Sequence, residues 1–279
     1  MNLYETAKER IIIAAHRGTS GGNIPCNTIV AYDAALAHGA DMLEVDANIS
    51  ADGTLYSFHP DMEPMHLGRD CHLPLMHDDE IRTFRYVNYD REETELGICT
   101  LDEVFERYKN RCFINIDKFW VHPEKISDLI RRHNMADQIV VKTKPVPELF
   151  DIIEAYAPDI AYLPVIKEDM GLHDMLKTRN INYVGVEVLF DTDDHYLCSD
   201  EYISKVHADG KLVWANSIIY DYKKQIAARH SDDTAIAGNE DGSWGWLADK
   251  GFDIIQTDWT LAMRLYFERT GKRYRSTKR

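Results

Sequence analysis

Gly39–Pro60 reads GADMLEVDANISADGTLYSFHP, and its pattern frames the rest of the chain. Met42 to Asp46 is a short strand-like run with Glu44 and Asp46 two apart, so both project from one side and Val45 from the other. Asp52-Gly53 is a two-residue turn signal, after which Leu55 to Phe58 can run back as a strand that delivers His59 to the rim. Seven further runs of the same kind flank this one: Ile11–Ala15, Cys112–Ile116, Gln138–Val141, Ile160–Leu163, Tyr183–Glu187, Leu212–Ala215 and Phe252–Thr257. Helical patterns separate most of them, which is the signature of repeated βα units around a parallel sheet. Eight such units close a TIM (β/α)8 barrel, and 279 residues is close to the roughly 250 that one barrel needs. The expectation is an α/β fold with a single domain spanning 1–279, in which Glu44 and Asp46 point inward.

Local signals support the helices. Asn27 is read as capping a helix that runs toward His38, where Gly39 permits a left-handed stop, and Thr100 with Glu103 three residues on marks another start. Asp61 to Ile98 breaks the βα rhythm. Its polar, irregular composition is read as a small cap-like insertion after the second strand, at about 61–98, lying over the mouth where loops after barrel strands gather.

Composition narrows the function classes. The chain is 44% hydrophobic and 28% charged, and no apolar run approaches the ~18 residues of a membrane span. The apolar stretch at Ile11–Ala15 is shorter than the ~7–15 residues of a signal-peptide core, so the expectation is a cytoplasmic protein without stable membrane insertion. Five scattered cysteines show no zinc spacing and are read as reduced thiols. A formal charge of −15 argues against nucleic acid or anionic lipid as partner. An anionic small-molecule substrate then needs a local positive site, which a divalent cation supplies. Nothing in the pattern speaks to oligomeric state.

The candidate chemistry begins with Glu44 and Asp46, joined by Asp117 at the end of the next strand in FINIDKFW. Adjacent carboxylates resist desolvation unless a cation or a basic partner compensates them. Oxygen ligands suit Mg2+ or Ca2+, while salt bridges to Lys118 or other barrel lysines are the alternative. His16 follows the first strand directly and His59 ends the returning strand, so both can reach the carboxylates' end of the barrel. Arg17 and Gly18 after His16 offer a guanidinium fork and a backbone that approaches a ligand closely. The other ten histidines, His230 among them, are read as surface or loop residues.

HRG at His16–Gly18, Asn27-Thr28, GADMLEVD at Gly39–Asp46, the Asp52-Gly53 hairpin and His59 form an ordered set within residues 14–64. That set resembles the opening signature of the glycerophosphodiester phosphodiesterase family. NIDK at Asn115–Lys118, VWAN at Val213–Asn216 and GFDIIQTDW at Gly251–Trp259 extend the resemblance along nearly the whole chain. It implies a TIM barrel, a divalent ion, and hydrolysis of a glycerophosphodiester to an alcohol and glycerol 3-phosphate. By position it assigns the acid/base pair to His16 and His59, the phosphate-contacting arginine to Arg17, and the first two metal ligands to Glu44 and Asp46. The third ligand is often Glu in an E-x-K setting; here it falls on Asp117, with Lys118 immediately after it as a further phosphate contact. Cys26 stands where the family's ENT box has Glu. Two alternatives go with the resemblance: a phospholipase-D-like enzyme on lysolipids or sphingolipids, which needs an apolar groove, and a non-catalytic phosphodiester-binding barrel, which the altered box favours. Trp214 and Trp259, both at strand ends, are read as flat faces against a small alcohol, with ordinary packing as the alternative.

Overall fold

The computed structural model describes residues 1–275. Nine strands form one sheet: β1 (Ile12–Ala15), β2 (Met42–Ile49), β3 (Leu55–Ser57), β4 (Phe113–Asp117), β5 (Ile139–Thr143), β6 (Ala161–Ile166), β7 (Gly185–Val188), β8 (Leu212–Asn216) and β9 (Ile254–Thr257). All but β3 pair in parallel, and β1 joins both β9 and β2, so eight strands close into a barrel. They fall on the eight runs read from the sequence. The hairpin also forms: β3 returns antiparallel along the upper half of β2, with Ser57 opposite Ala47 and Leu55 opposite Ile49.

The period of two along each strand sorts the core into two layers. Ile13, Leu43, Val45, Ile114, Ile116, Val141, Val186 and Ile255 face the surrounding helices. Ile12, Ala14, Met42, Phe113, Val140, Leu163, Trp214 and Ile254 fill the barrel interior. An N-terminal helix, Leu3–Glu9, capped by the Asn2 side chain accepting from the Glu5 amide at 3.1 Å, adds Leu3 and Ala7 to that interior cluster and plugs it from below. Reading the strands did not assign an element there. Two residues further up, the inward face turns polar: Met42 pairs with Phe113, then Glu44 with Asn115 and Asp46 with Asp117. Lys142, Glu187, Asn216 and Gln256 continue the buried polar set on the other strands.

One local expectation is corrected. The helix Ile29–Ala37 is capped by Thr28, whose hydroxyl accepts from the Ala31 amide at 3.2 Å, and not by Asn27. Asn27 takes a left-handed φ of 56°, a region Asn tolerates, and spends its amide elsewhere. Gly39 does provide the left-handed stop, at φ 92°, and Thr100 and Glu103 make the reciprocal capping box. The segment Asp61–Ile98 is less irregular than its composition indicates. It carries the short helices Glu63–His66 and Asp78–Ile81 and, with Tyr56 and Phe58 of the hairpin, packs Leu67, Leu73, Met76, Ile81, Phe84 and Tyr86 into a small core of its own.

Because that cluster is separate from the barrel's, it can be loosened separately. Phe84→Ala should cost about 3–5 kcal/mol locally, and limited proteolysis should cut within residues 61–98 before the barrel. A protease pattern identical to the parent's would refute an independent core.

Candidate active site

Glu44, Asp46 and Asp117 converge at the C-terminal end of the barrel, with one carboxylate oxygen of each within 4.8 Å of the others. Asp46 is fully buried. Its Oδ2 accepts from the Asn27 amide at 2.8 Å and lies 2.9 Å from Arg17 Nε, whereas its Oδ1 is buried with no hydrogen-bond partner. The Glu44 carboxylate accepts from the Arg17 backbone N–H at 2.9 Å, and Lys118 Nζ donates to Asp117 at 2.5 Å. Burial first, then the charge of Asp46, lifts the Glu44 pKa to about 7. Asp117 moves the other way: burial would raise it, but the ammonium groups of Lys118 and Lys142 outweigh burial and lower it. Three inward oxygen donors, one of them an orphaned acceptor and one a carboxyl that resists ionisation, are the donor set a hard divalent cation fits. Glu44, Asp46 and Asp117 are the residues that would hold it.

The backbone around them is strained. Arg17, Asn27 and Lys118 all have positive φ, at 55°, 56° and 60°, a region that costs non-glycine residues roughly 1–3 kcal/mol and clusters at functional sites. Gly18 follows at φ 77°, and a Cβ there would sit 2.7 Å from the Ala31 carbonyl carbon, so no other residue fits. The Asn27 amide oxygen accepts from both the Asp46 N–H at 3.2 Å and the Tyr32 hydroxyl at 2.9 Å, and Tyr32 is 2.7 Å from the Ser57 hydroxyl. This chain ties the site to β3 and to the helix Ile29–Ala37.

The two histidines flank the carboxylates in different settings. His16 Nδ1 lies 2.8 Å from Asp258 Oδ1, which leaves Nε2 free. Burial alone would lower its pKa, but the Asp258 hydrogen bond and the negative charge of Glu44 and Asp258 raise it. His59 Nδ1 lies 2.6 Å from the Pro60 carbonyl. A carbonyl only accepts, so Nδ1 carries the proton and Nε2 the lone pair. Burial, helped by Arg17 and Lys118 against the pull of Asp46, lowers the His59 pKa.

Several participants escaped sequence reading. Asp258 sits in the quoted GFDIIQTDW segment, yet only the closed barrel brings β9 beside β1 and its carboxylate onto His16. Lys142, Glu187 and Asn216 form a buried network in which Lys142 Nζ donates to Glu187 at 2.6 Å and Asn216 Nδ2 donates to its other oxygen at 2.7 Å. The available signal was a charged residue at the end of each of two strand-like runs, Lys142 directly after Gln138–Val141 and Glu187 closing Tyr183–Glu187. Trp214 lies beneath that network, fully buried: its ring centre is 4.2 Å from Lys142 Nζ and its indole N–H donates to Asn216 at 3.1 Å. Trp259 is 51% exposed at the rim. It borders a cleft of about 690 Å³ that begins at His16 and Arg17 and continues between Met62 and Met65 of the insertion and Leu261 and Leu265 of the last helix. Cys26 faces the same cleft with its sulfur 3.6 Å from His66 Nε2. Burial pushes the thiol up to about 12 and His66 down to about 4, so an uncharged pair stands where the family resemblance has a glutamate. His230 stacks on Trp246 at 3.7 Å and reaches Asp193 and the Gly242 carbonyl, a packing role.

Asp258→Asn removes the charge that holds His16 up while leaving a hydrogen-bonding group of the same shape. The His16 pKa, followed by NMR titration, should fall. A value unchanged from the parent would show that Asp258 does not set it.

A family model described as a domain of unknown function matches residues 162–267. A glycerophosphodiester phosphodiesterase of Bacillus altitudinis is 31% identical over 148 residues, 47% of this chain and 57% of that protein. The chain spans about half the length of the curated relatives it matches. A glycerophosphoryl diester phosphodiesterase of Parabacteroides distasonis has the same fold, with a TM-score of 0.75 and 16% identity over 97% of this chain and 93% of that one. A phosphodiesterase of Oleispira antarctica, solved in complex with the product sn-glycerol-3-phosphate, aligns with a TM-score of 0.69 and 18% identity over 96% of this chain and 100% of that one. No helix among the described residues is long and apolar enough to cross a membrane. The ordered motif set, the partial sequence matches and the shared barrel agree in making this chain similar to glycerophosphodiester phosphodiesterases.

Proposed function

We propose that this protein hydrolyses glycerophosphodiesters to an alcohol and glycerol 3-phosphate, with Glu44, Asp46 and Asp117 holding a divalent cation. The observation that carries this reading is the cluster of three carboxylates, flanked by Arg17 and by two histidines whose pKa values are pushed in opposite directions. Mg2+ or Ca2+ bound there supplies positive charge against the phosphoryl oxygens. Arg17, anchored through Nε to Asp46, directs its remaining N–H groups at the same oxygens, and Lys118 adds a second positive charge.

No serine or cysteine nucleophile is needed. The hydroxyl next to the esterified glycerol carbon can attack phosphorus within the same molecule, which turns positioning into rate. His59, with its lone pair on Nε2, takes that hydroxyl's proton, and His16, whose pKa the Asp258 hydrogen bond raises, gives a proton to the departing alcohol oxygen. The attack forms a cyclic phosphate, and water opens it with the histidines in reversed roles. A second reading, a phospholipase-D-like activity on lysolipids, is favoured by one observation: the cleft leading away from His16 is lined by methionine and leucine side chains. Parallel assays with glycerophosphocholine and lysophosphatidylcholine separate the two.

Excess EDTA should abolish turnover of glycerophosphocholine, and added Mg2+ or Ca2+ should restore it. Asp46→Ala should be inactive under all metal conditions. Full activity in EDTA would sink the metal assignment.

The acid must be charged and the base neutral, so activity should rise with pH through the lowered pKa of His59 and fall through the raised pKa of His16. The plateau lies between them. Removing either imidazole should lower turnover on the order of 10²-fold or more, with His59→Ala flattening the acidic limb and His16→Ala the basic one. A profile that keeps both limbs in either variant would assign the protons to other groups.

A further inference from the structure

We propose that Lys142, Glu187 and Asn216 form a hydroxyl-recognition subsite for the polyol arm of the substrate. The proposal rests on the phosphodiesterase reading and names the part of the molecule that reading leaves unassigned. The three residues lie on β5, β7 and β8; β7 is across the barrel from β1 and β2, and β5 and β8 are each two strands from that pair. All three are buried, yet Lys142 is close enough to Asp117 and Glu44 for their charges to act on it, which sets the pair beside the phosphate end.

A buried ion pair is poor evidence of a stability role, since apolar residues of similar volume often serve as well or better. Its bonding capacity points to a ligand. The Lys142 ammonium has three N–H groups and uses one on Glu187, while each Glu187 oxygen accepts a single bond and keeps a second lone pair. A hydroxyl, which donates and accepts together, fits between such an ammonium and such a carboxylate. Gln256, in register with Asn216 on the neighbouring strand, adds an amide oxygen that is buried without a partner. Trp214 fixes the set from beneath. Tyr220, in the loop after β8, stands edge-on to His16 at 5.9 Å.

With phosphorus at Arg17 and the attacking hydroxyl at His59, the terminal hydroxyl of a glycerol arm is the group left for Glu187 and Lys142. A glycerol acylated at that hydroxyl would lose the contact. The subsite therefore selects a free polyol.

The test is calorimetric binding of sn-glycerol 3-phosphate and of propane-1,2-diol 1-phosphate, which lacks only the terminal hydroxyl, to the full chain in Mg2+. The parent protein should bind the deoxy compound about 10- to 100-fold more weakly. The double variant Lys142→Met with Glu187→Gln, which leaves no buried unpaired charge, should bind the two within about threefold of each other. Asn216→Ser, which keeps the ion pair, carries the same comparison should the double variant fail to fold, with the ratio falling severalfold. Equal binding of both ligands by the parent, or an unchanged ratio in the variants, overturns the subsite. Because binding is read without turnover, absence of glycerophosphocholine hydrolysis would sink the phosphodiesterase reading alone.

Discussion

Asp46 has no exposure to solvent, and an ionised carboxylate in that position costs several kcal/mol unless charge and hydrogen bonds compensate it. The surroundings are arranged around that cost. Arg17 turns into the left-handed region to bring its guanidinium to one oxygen, and Asn27 does the same to bring its amide to that oxygen and to the Asp46 backbone. Asn27 is held in turn by Tyr32, and Tyr32 by Ser57 on the returning strand. The second Asp46 oxygen is left for a ligand. Removing the carboxylate would thus leave a guanidinium, an amide and two strained backbone positions without their purpose.

The barrel supplies the platform. Its interior is apolar up to Met42, Phe113 and Trp214 and is plugged from below by Leu3 and Ala7, so the polar layer above rests on a packed floor. In that largely buried layer charges act strongly on one another. A chain with a formal charge of −15 thereby gathers Arg17, Lys118 and Lys142 around the barrel mouth, and each of them is tied to a carboxylate.

The departures from the pattern this chain resembles have a coherent physical form. Lys118 follows Asp117 directly, takes a positive φ, and folds its ammonium back onto that carboxylate. Lys142, from the adjacent strand, is the second ammonium acting on Asp117. The neutral Cys26 and His66 pair stands before the helix Ile29–Ala37, where the resembled box has an acid.

The strands, the hairpin and the shared face of Glu44 and Asp46 were legible in the sequence by itself, because each depends on spacing within a few residues, whereas the grouping of His16, His59 and Asp117 with them was implied by the family resemblance. Glu44 and Asp46 share a face by the period of two, Asp52-Gly53 turns the chain, and the eight apolar runs close a barrel by their number. What only the tertiary structure decided are the pairings across distant strands. Asp258 meets His16 across 242 residues, and Glu187 meets Lys142 across 45. The insertion's apolar core was likewise hidden, since its members are scattered through a polar segment without helical or strand period. Asn27 was misread as a cap because its sequence neighbours resemble a helix start, while its actual partner, Asp46, becomes adjacent only when β2 lies against the turn before the helix Ile29–Ala37. Local rules fix periodicity and turns; which charges end up facing each other depends on barrel closure, and no local pattern encodes that.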